Sequence, residues 1–196
     1  MEFLTELWLP ILLSAVAVFI ASSVIWMATP LHKKDYSNPP DQDGILDVLR
    51  RTPFQPGLYF LPWAADCRSG MKDPEFQAKL KAGPWAQLII PPGAPNFGRS
   101  LVQWFINSLV VSALIAYVAA VALPMGAAAP EYMRVFRLVG SAAFLAHAGM
   151  AAHDTMWKGL GWRFTLTKLF DGLVYALLTA GVFAWLWPRE GVLPLT

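Results

Sequence analysis

Hydrophobic residues run along this chain in four long blocks, without the regular polar interruptions of a soluble helix or strand. Leu7 to Ala28 is 22 residues without a charge, and Leu101 to Met125 is 25. Leu138 to Ala152 is 15 and Gly172 to Trp187 is 16, against roughly 20 residues needed to cross bilayer hydrocarbon. The last two reach spanning length by taking in Tyr132 to Arg137 and Leu169 to Asp171, whose polar ends can snorkel toward the headgroups. The pattern predicts an all-α membrane protein with four transmembrane helices and a small α/β cytoplasmic insertion between helices 1 and 2. The divisions are 1–29 for the first helix, 30–100 for the insertion and 101–196 for a three-helix bundle. The leading "MEFLTE" carries two glutamates and no basic residue, so the first block reads as a retained helix and not as a signal peptide.

Within the insertion the pattern shortens. "NPPDQDGILDVLRR" offers Asp41 or Asp43 as a cap before an amphipathic turn with Ile45, Leu46, Val48 and Leu49. It closes on Arg50 and Arg51, where the helix dipole favours cations. "DPEFQAKLKAG" has Asp73 as cap, Pro74 at the first helical position, Phe76 and Leu80 on one face and Gly83 as the stop. "GLYFLPW" and "WAQLIIPP" are strand-like runs placed to pair around that second helix. A small ordered cap follows, whose aromatic residues Phe54, Tyr59, Phe60, Trp63 and Trp85 can pack together or lie in the interface. No nucleotide loop, GxSxG elbow, HExxH pair or kinase set occurs, and "PPGAPNFG" reads as a turn-rich entry to helix 2.

Composition supports the membrane as solvent: 56% of the 196 residues are hydrophobic and 14% charged, too apolar for an ordinary soluble domain. A net charge of +2 gives no electrostatic footprint for nucleic acid. The single cysteine, Cys67, excludes an intrachain disulfide, a CxxC pair and a thiolate-rich metal site. Position matters more for the basic residues. Lys33, Lys34, Lys81, Arg99, Lys158, Arg163 and Lys168 fall on one side, and Arg134, Arg137 and Arg189 on the other. Seven against three places the first group in the cytoplasm and both termini outside. Trp8 and Trp26 lie about 27 Å apart at helical rise, close to a hydrocarbon thickness. Trp104, Trp157 and Trp162 mark the cytoplasmic level, and Trp185 and Trp187 the outer one.

Small residues recur every fourth position in helix 2 (Ser108, Ser112, Ala116, Ala120) and in helix 4 (Gly172, Ala176, Ala180, Ala184). Such stripes let backbones approach where lipid supplies little hydrophobic drive. Helix 3 is small almost all round, which predicts the most enclosed helix or one that packs against another subunit.

Candidate chemistry centres on "HAGMAAHD". His147 lies about two turns inside the membrane, where an imidazole needs a hydrogen-bond partner. Asn107 and Ser108 on helix 2, or Asp171 and Tyr175 on helix 4, are the candidates, all in the cytoplasmic half. Three readings compete. His147, Asn107, Asp171 and Tyr175 form a structural polar network, or His147 and Asp171 line a proton or substrate pathway. In the third, His147 joins Met150, His153 or Asp154 in a metal or haem site, although helical spacing converges only part of that set. His153 and Asp154 otherwise form a solvated helix end, with Asp154 paired to Lys158. Cysteine pairs, four intramembrane histidines and a glutamate in helix 1 are absent, which excludes quinone-linked disulfide oxidoreductases, bis-histidine dihaem bundles and small multidrug exporters.

"GRSLVQWFINSLVVSALIAYVA", "TLTKLFDGLVYALLTAGVFAWLWPR" and "MKDPEFQAKLKAG" resemble segments of small bacterial four-helix integral membrane proteins with no assigned activity. The resemblance runs from Gly57 onward and implies a bacterial inner-membrane setting; it carries over no site residue. The resulting expectation is a non-catalytic accessory or structural subunit of a membrane complex. Its partners are the lipid bilayer and other membrane subunits or a second copy, with no nucleic acid and no cofactor. The alternative is a small transporter or proton-conducting protein using His147 and Asp171.

Overall fold

A computed structural model of the chain describes residues 2–64, 66 and 70–189; Cys67 lies outside them. The described chain is mostly helical, with four helices long and apolar enough to cross a membrane and one two-stranded sheet. It divides into two compact units, Met1–Ser37 with Phe97–Thr196, and Asn38–Asn96. The boundaries therefore fall inside the expected 30–100 insertion. Residues 30–37 join the helical unit because their side chains bond to its last helix, and Phe97 already begins a continuous helix.

In the smaller unit, helix α3 (Gln42–Arg51) starts where Asp41 accepts a hydrogen bond from the Gly44 amide. Helix α4 (Pro74–Ala82) starts where the Asp73 carboxylate accepts from the Glu75 and Phe76 amides. It stops at Gly83, whose φ of 61° needs a residue without a Cβ. Along α4 the Glu75 carboxylate bonds Lys79 at 2.6 Å and raises the ammonium above its ordinary value. Strands β1 (Gly57–Leu61) and β2 (Ala86–Ile90) pair antiparallel, with Gly57 opposite Ile90 and Leu61 opposite Ala86.

The larger unit holds α1 (Glu2–Glu6), α2 (Trp8–Ser23), α5 (Phe97–Ala122), α6 (Tyr132–Ala148), α7 (Ala151–Lys158) and α8 (Trp162–Trp185). Helix α2 runs on as a wider π turn over Val24–Ala28. Just before it, Ser22 and Ser23 both donate to the Phe19 carbonyl, the back-bonding that bends helices. Helices α2 and α5 are antiparallel: Ser14 bonds Ser112 at 3.1 Å in a buried contact, and Ser22 meets Trp104 eight residues on.

Helix α8 is the centre of the bundle. Of its most apolar stretch 44% is buried, against 22% in the span that α6 and α7 make together. Helix 3 is therefore not the most enclosed helix, which overturns the first of the two alternatives expected for it. Small residues on one side of α6, Gly140, Ala143 and Ala148, pack on α8, while Ser141, Leu145 and Ala146 face outward. The stripe Gly172, Ala176, Ala180, Ala184 is wholly buried, and on α5 so are Ser108, Ser112 and Ala116, with Ala120 half-buried. A Cβ at Gly172 would stand 2.5 Å from that of Ala148, so only glycine allows the helices this close.

The third span is broken at Gly149 and Met150. There a Cβ would come 2.5 Å from the Leu145 carbonyl oxygen, and a tightened turn separates α6 from α7. At the other end Trp187 is buried and its indole donates to the Pro124 carbonyl. It therefore ties two connections together and is no surface anchor, unlike the exposed Trp157, Trp162 and Trp185.

Two measurements check these packing and capping assignments. Gly172→Ala is expected to lower unfolding stability in detergent by about 1–3 kcal/mol through overpacking. Gly181→Ala, whose Cβ meets nothing closer than the Tyr132 hydroxyl at 4.0 Å, leaves stability unchanged or slightly raised. Asp73→Ala removes a cap worth about 1 kcal/mol, read as faster hydrogen exchange at the Glu75 and Phe76 amides.

Candidate functional site

The segment after helix α2 turns sharply at Pro30 into a 3₁₀ turn over Leu31–Lys34. In such a turn side chains three apart stand over one another, which brings His32 beside Asp35. His32 Nδ1 lies 2.7 Å from Asp35 Oδ2. Across from them α8 presents Arg163, Thr167 and Asp171, each one turn from the next. Asp171 receives the other imidazole nitrogen, with both carboxylate oxygens 3.2 Å from His32 Nε2. The Thr167 hydroxyl lies 3.0 Å from Asp35 Oδ2 and 2.9 Å from the Phe164 carbonyl, either of which can take its proton. Arg163 donates to the Leu31 carbonyl at 2.7 Å and sets its Nε 3.4 Å from Asp35 Oδ1. That last contact is an ion pair without hydrogen-bond alignment, since Asp35 Oδ1 accepts no hydrogen bond.

This cluster is dry. His32 and Asp171 are each no more than 5% exposed, and the Asp35 side chain is fully covered. A neutral imidazole donates through one nitrogen only. Which of the two carboxylates it donates to is set by its tautomer. The π turn in α2 carries Trp26 onto this site, where its ring stacks on His32 at 3.9 Å and 6°. With that face covered, the Lys168 ammonium, 4.3 Å from the Trp26 centroid, takes the other.

Beside the cluster is a cavity of about 420 Å³, within the range of small-molecule sites. Trp26, Trp104, Tyr175 and His147 supply its aromatic walls, Ser22 and Ser23 hydroxyls, and Lys168 and Asp171 its charged groups. The exposed Met27 and Phe97 mark its mouth. Trp104 is fixed in that wall by its indole, which donates to Ser22 at 2.8 Å.

Of the four residues expected in a polar network, three come together: His147 stands edge-on to Tyr175 at 5.4 Å, and both line the cavity with Asp171. Asn107 does not join them. It lies on the exposed side of α5, one residue from the buried Ser108 and so turned about 100° away from it. The helix break after Ala148 separates His147 from the rest of its motif. Asp154 pairs with Lys158 at 2.6 Å, and His153 is half-exposed beside it. Among the described residues no three His, Cys, Asp or Glu side chains are grouped to hold a metal, so His147, His153 and Asp154 do not converge.

Sequence reasoning missed His32 and Asp35. "LHKKD" reads as a solvated basic turn, since its two lysines suggest a wet helix end. The signal that would have found them is the His-x-x-Asp spacing after a helix-ending proline, together with Asp171 in an apolar helix, a carboxylate that calls for a hydrogen-bonding partner from another element.

Removing one member should strand the others. His32→Ala is expected to cost about 3–5 kcal/mol of unfolding free energy, as for breaking any buried ion pair. The double change His32→Ala with Asp171→Asn should cost clearly less than the sum of the two singles. Additive losses in detergent unfolding would show that the residues do not act as one network.

Compared with protein-family models, with curated proteins and with solved structures, the chain matches none.

Proposed function

We propose that this chain is a four-span protein of the bacterial inner membrane that holds a small molecule in the cavity beside His32 and Asp171, as a transporter or its binding subunit. The observation that carries this reading is the cavity itself, which reaches both His147 and Asp171. A purely structural network has no need of such a space, and interiors rarely leave one unfilled.

Access is from one side. Beyond Ser14 and Ser112 the bundle is filled by Ile115, Ala119, Val139, Ala180 and Phe183, which leaves no polar route across. That favours a carrier open to one face over a continuous proton channel. The positive-inside count puts this face in the cytoplasm, with both termini outside.

The accessory-subunit reading rests on the small-residue stripes and on the ordered insertion between helices 1 and 2, and the stripes are used within the chain. Ser112 bonds Ser14, Gly172 abuts Ala148, and Gly140 would place a Cβ 3.3 Å from that of Ala180. They offer no free surface to a partner.

Two measurements test the proposal. In a background with Cys67 replaced by serine, Ser23→Cys should react with a membrane-impermeant maleimide in inside-out vesicles and not in right-side-out ones, while Ser14→Cys reacts in neither. Protein purified in mild detergent should release a stoichiometric small molecule on extraction, and Ser23→Trp, which fills the cavity, should not. Identical extracts from the two proteins would sink the idea.

A further inference from the structure

We infer that the ligand of this cavity is an amphiphile with one anionic head, a carboxylate or phosphate monoester on an acyl chain. The inference rests on the reading of the cavity as a ligand site and adds the chemistry of what fills it.

Charge is the first argument. Both carboxylates of the neighbouring cluster are engaged, Asp171 by His32 Nε2 and Asp35 by His32, Thr167 and Arg163. The carboxylate oxygen that accepts no hydrogen bond, Asp35 Oδ1, is fully covered and does not line the cavity, so a cationic ligand would find no free carboxylate there. Lys168 is different. Among the described residues no carboxylate lies within ion-pair distance of its ammonium, and its contacts are the ring faces of Trp26 and Phe164. Asp171, Asp35 and Asp154 act on this ammonium only from beyond ion-pair distance, and its direct contacts are aromatic faces, so at the cavity wall it can still take an anion as its contact partner.

The second argument is hydrogen bonding. His147 also lines the cavity, and neither of its ring nitrogens has a hydrogen-bond partner among the described residues. Neither nitrogen is among the buried unpartnered atoms, so both stay open to the cavity, where a ligand can bond them. Lys168 and His147 thus present two unmet polar groups to the same space.

The rest of the ligand follows from the remaining walls. Trp26, Trp104, Leu101 and the mouth residues Met27 and Phe97 are apolar or aromatic. Met27 and Phe97 are 64% and 65% exposed on helices apolar enough to lie in lipid. A head at Lys168 and a chain leaving past Met27 and Phe97 would match both ends of the cavity.

The test uses the full chain in phosphatidylcholine nanodiscs with 9,10-dibromostearate as probe, whose bromines quench tryptophan on contact. A saturable component of quenching at about one probe per chain is expected, absent in the Trp26→Phe, Trp104→Phe variant. Oleate should compete it away, with methyl oleate and oleylamine at least ten times weaker. Lys168→Met should weaken oleate about tenfold and leave methyl oleate unchanged, and Lys168→Arg should restore oleate. Competition by lysophosphatidate as well as oleate would place the source in phosphorylated lipid heads, and competition by oleate alone in free acids; either supports the inference. Equal competition by oleate and methyl oleate, indifferent to Lys168→Met, would overturn the anionic head while leaving a ligand site. No saturable component with any probe would overturn the ligand site itself.

Discussion

The helical unit is organised around one imidazole held between two buried carboxylates. Asp171 sits on the most enclosed helix of the bundle, where an isolated carboxylate would be costly by several kcal/mol. The turn that follows helix α2 brings His32 to it, and the same turn supplies Asp35 to hold the imidazole from behind. Much else is placed by this contact. The Pro30 turn must fold back against α8, Arg163 reaches its Leu31 carbonyl, and Trp26 lies flat on the histidine and makes one wall of the cavity. The π turn is the local adjustment that lets a helix aimed across the bundle deliver Trp26 there.

Helix α8 serves two kinds of packing along its length. Toward its start it shows Arg163, Thr167, Lys168 and Asp171 to polar partners. From Gly172 onward it offers a stripe so small that α6 approaches it backbone to backbone. The change happens between neighbouring residues, Asp171 and Gly172, so the close contact with Ala148 lies next to the charged cluster and fixes its depth. The half of the bundle beyond Ser14 and Ser112 is tightly filled, and the space that remains lies at the polar end, where Trp104 is held in the cavity wall by its bond to Ser22.

The four apolar helices, both caps of the smaller unit and its strand pairing were legible in the sequence, since each rests on local rules: length, a capping carboxylate, a glycine stop. The candidate site was legible in part. Asp171, Tyr175 and His147 stood out because polar groups in apolar runs are conspicuous. His32 and Asp35 did not, because in a polar loop they look ordinary, and only the fold shows that the turn is buried. Asn107 failed for the complementary reason: depth along a helix can be read from sequence, whereas which side faces inward depends on partners. The enclosed helix was misjudged on the same ground, since small residues on every side permit close packing without saying on how many sides it occurs. Trp187 shows that even an interface residue can be a tie between loops.

The 139 residues that separate His32 from Asp171 also bear on how the molecule is made. At a synthesis rate of about 5–20 residues per second, roughly 7 to 28 s pass between the two. During that interval His32 has only Asp35, and helices α2 and α6 lack the helix against which both pack. The nascent bundle is thus an open assembly with a polar notch, completed in one late step when α8 arrives already carrying Asp171, Thr167 and Arg163. A chain cut short before that helix would keep three long apolar segments and a turn whose histidine has lost one of its two carboxylates.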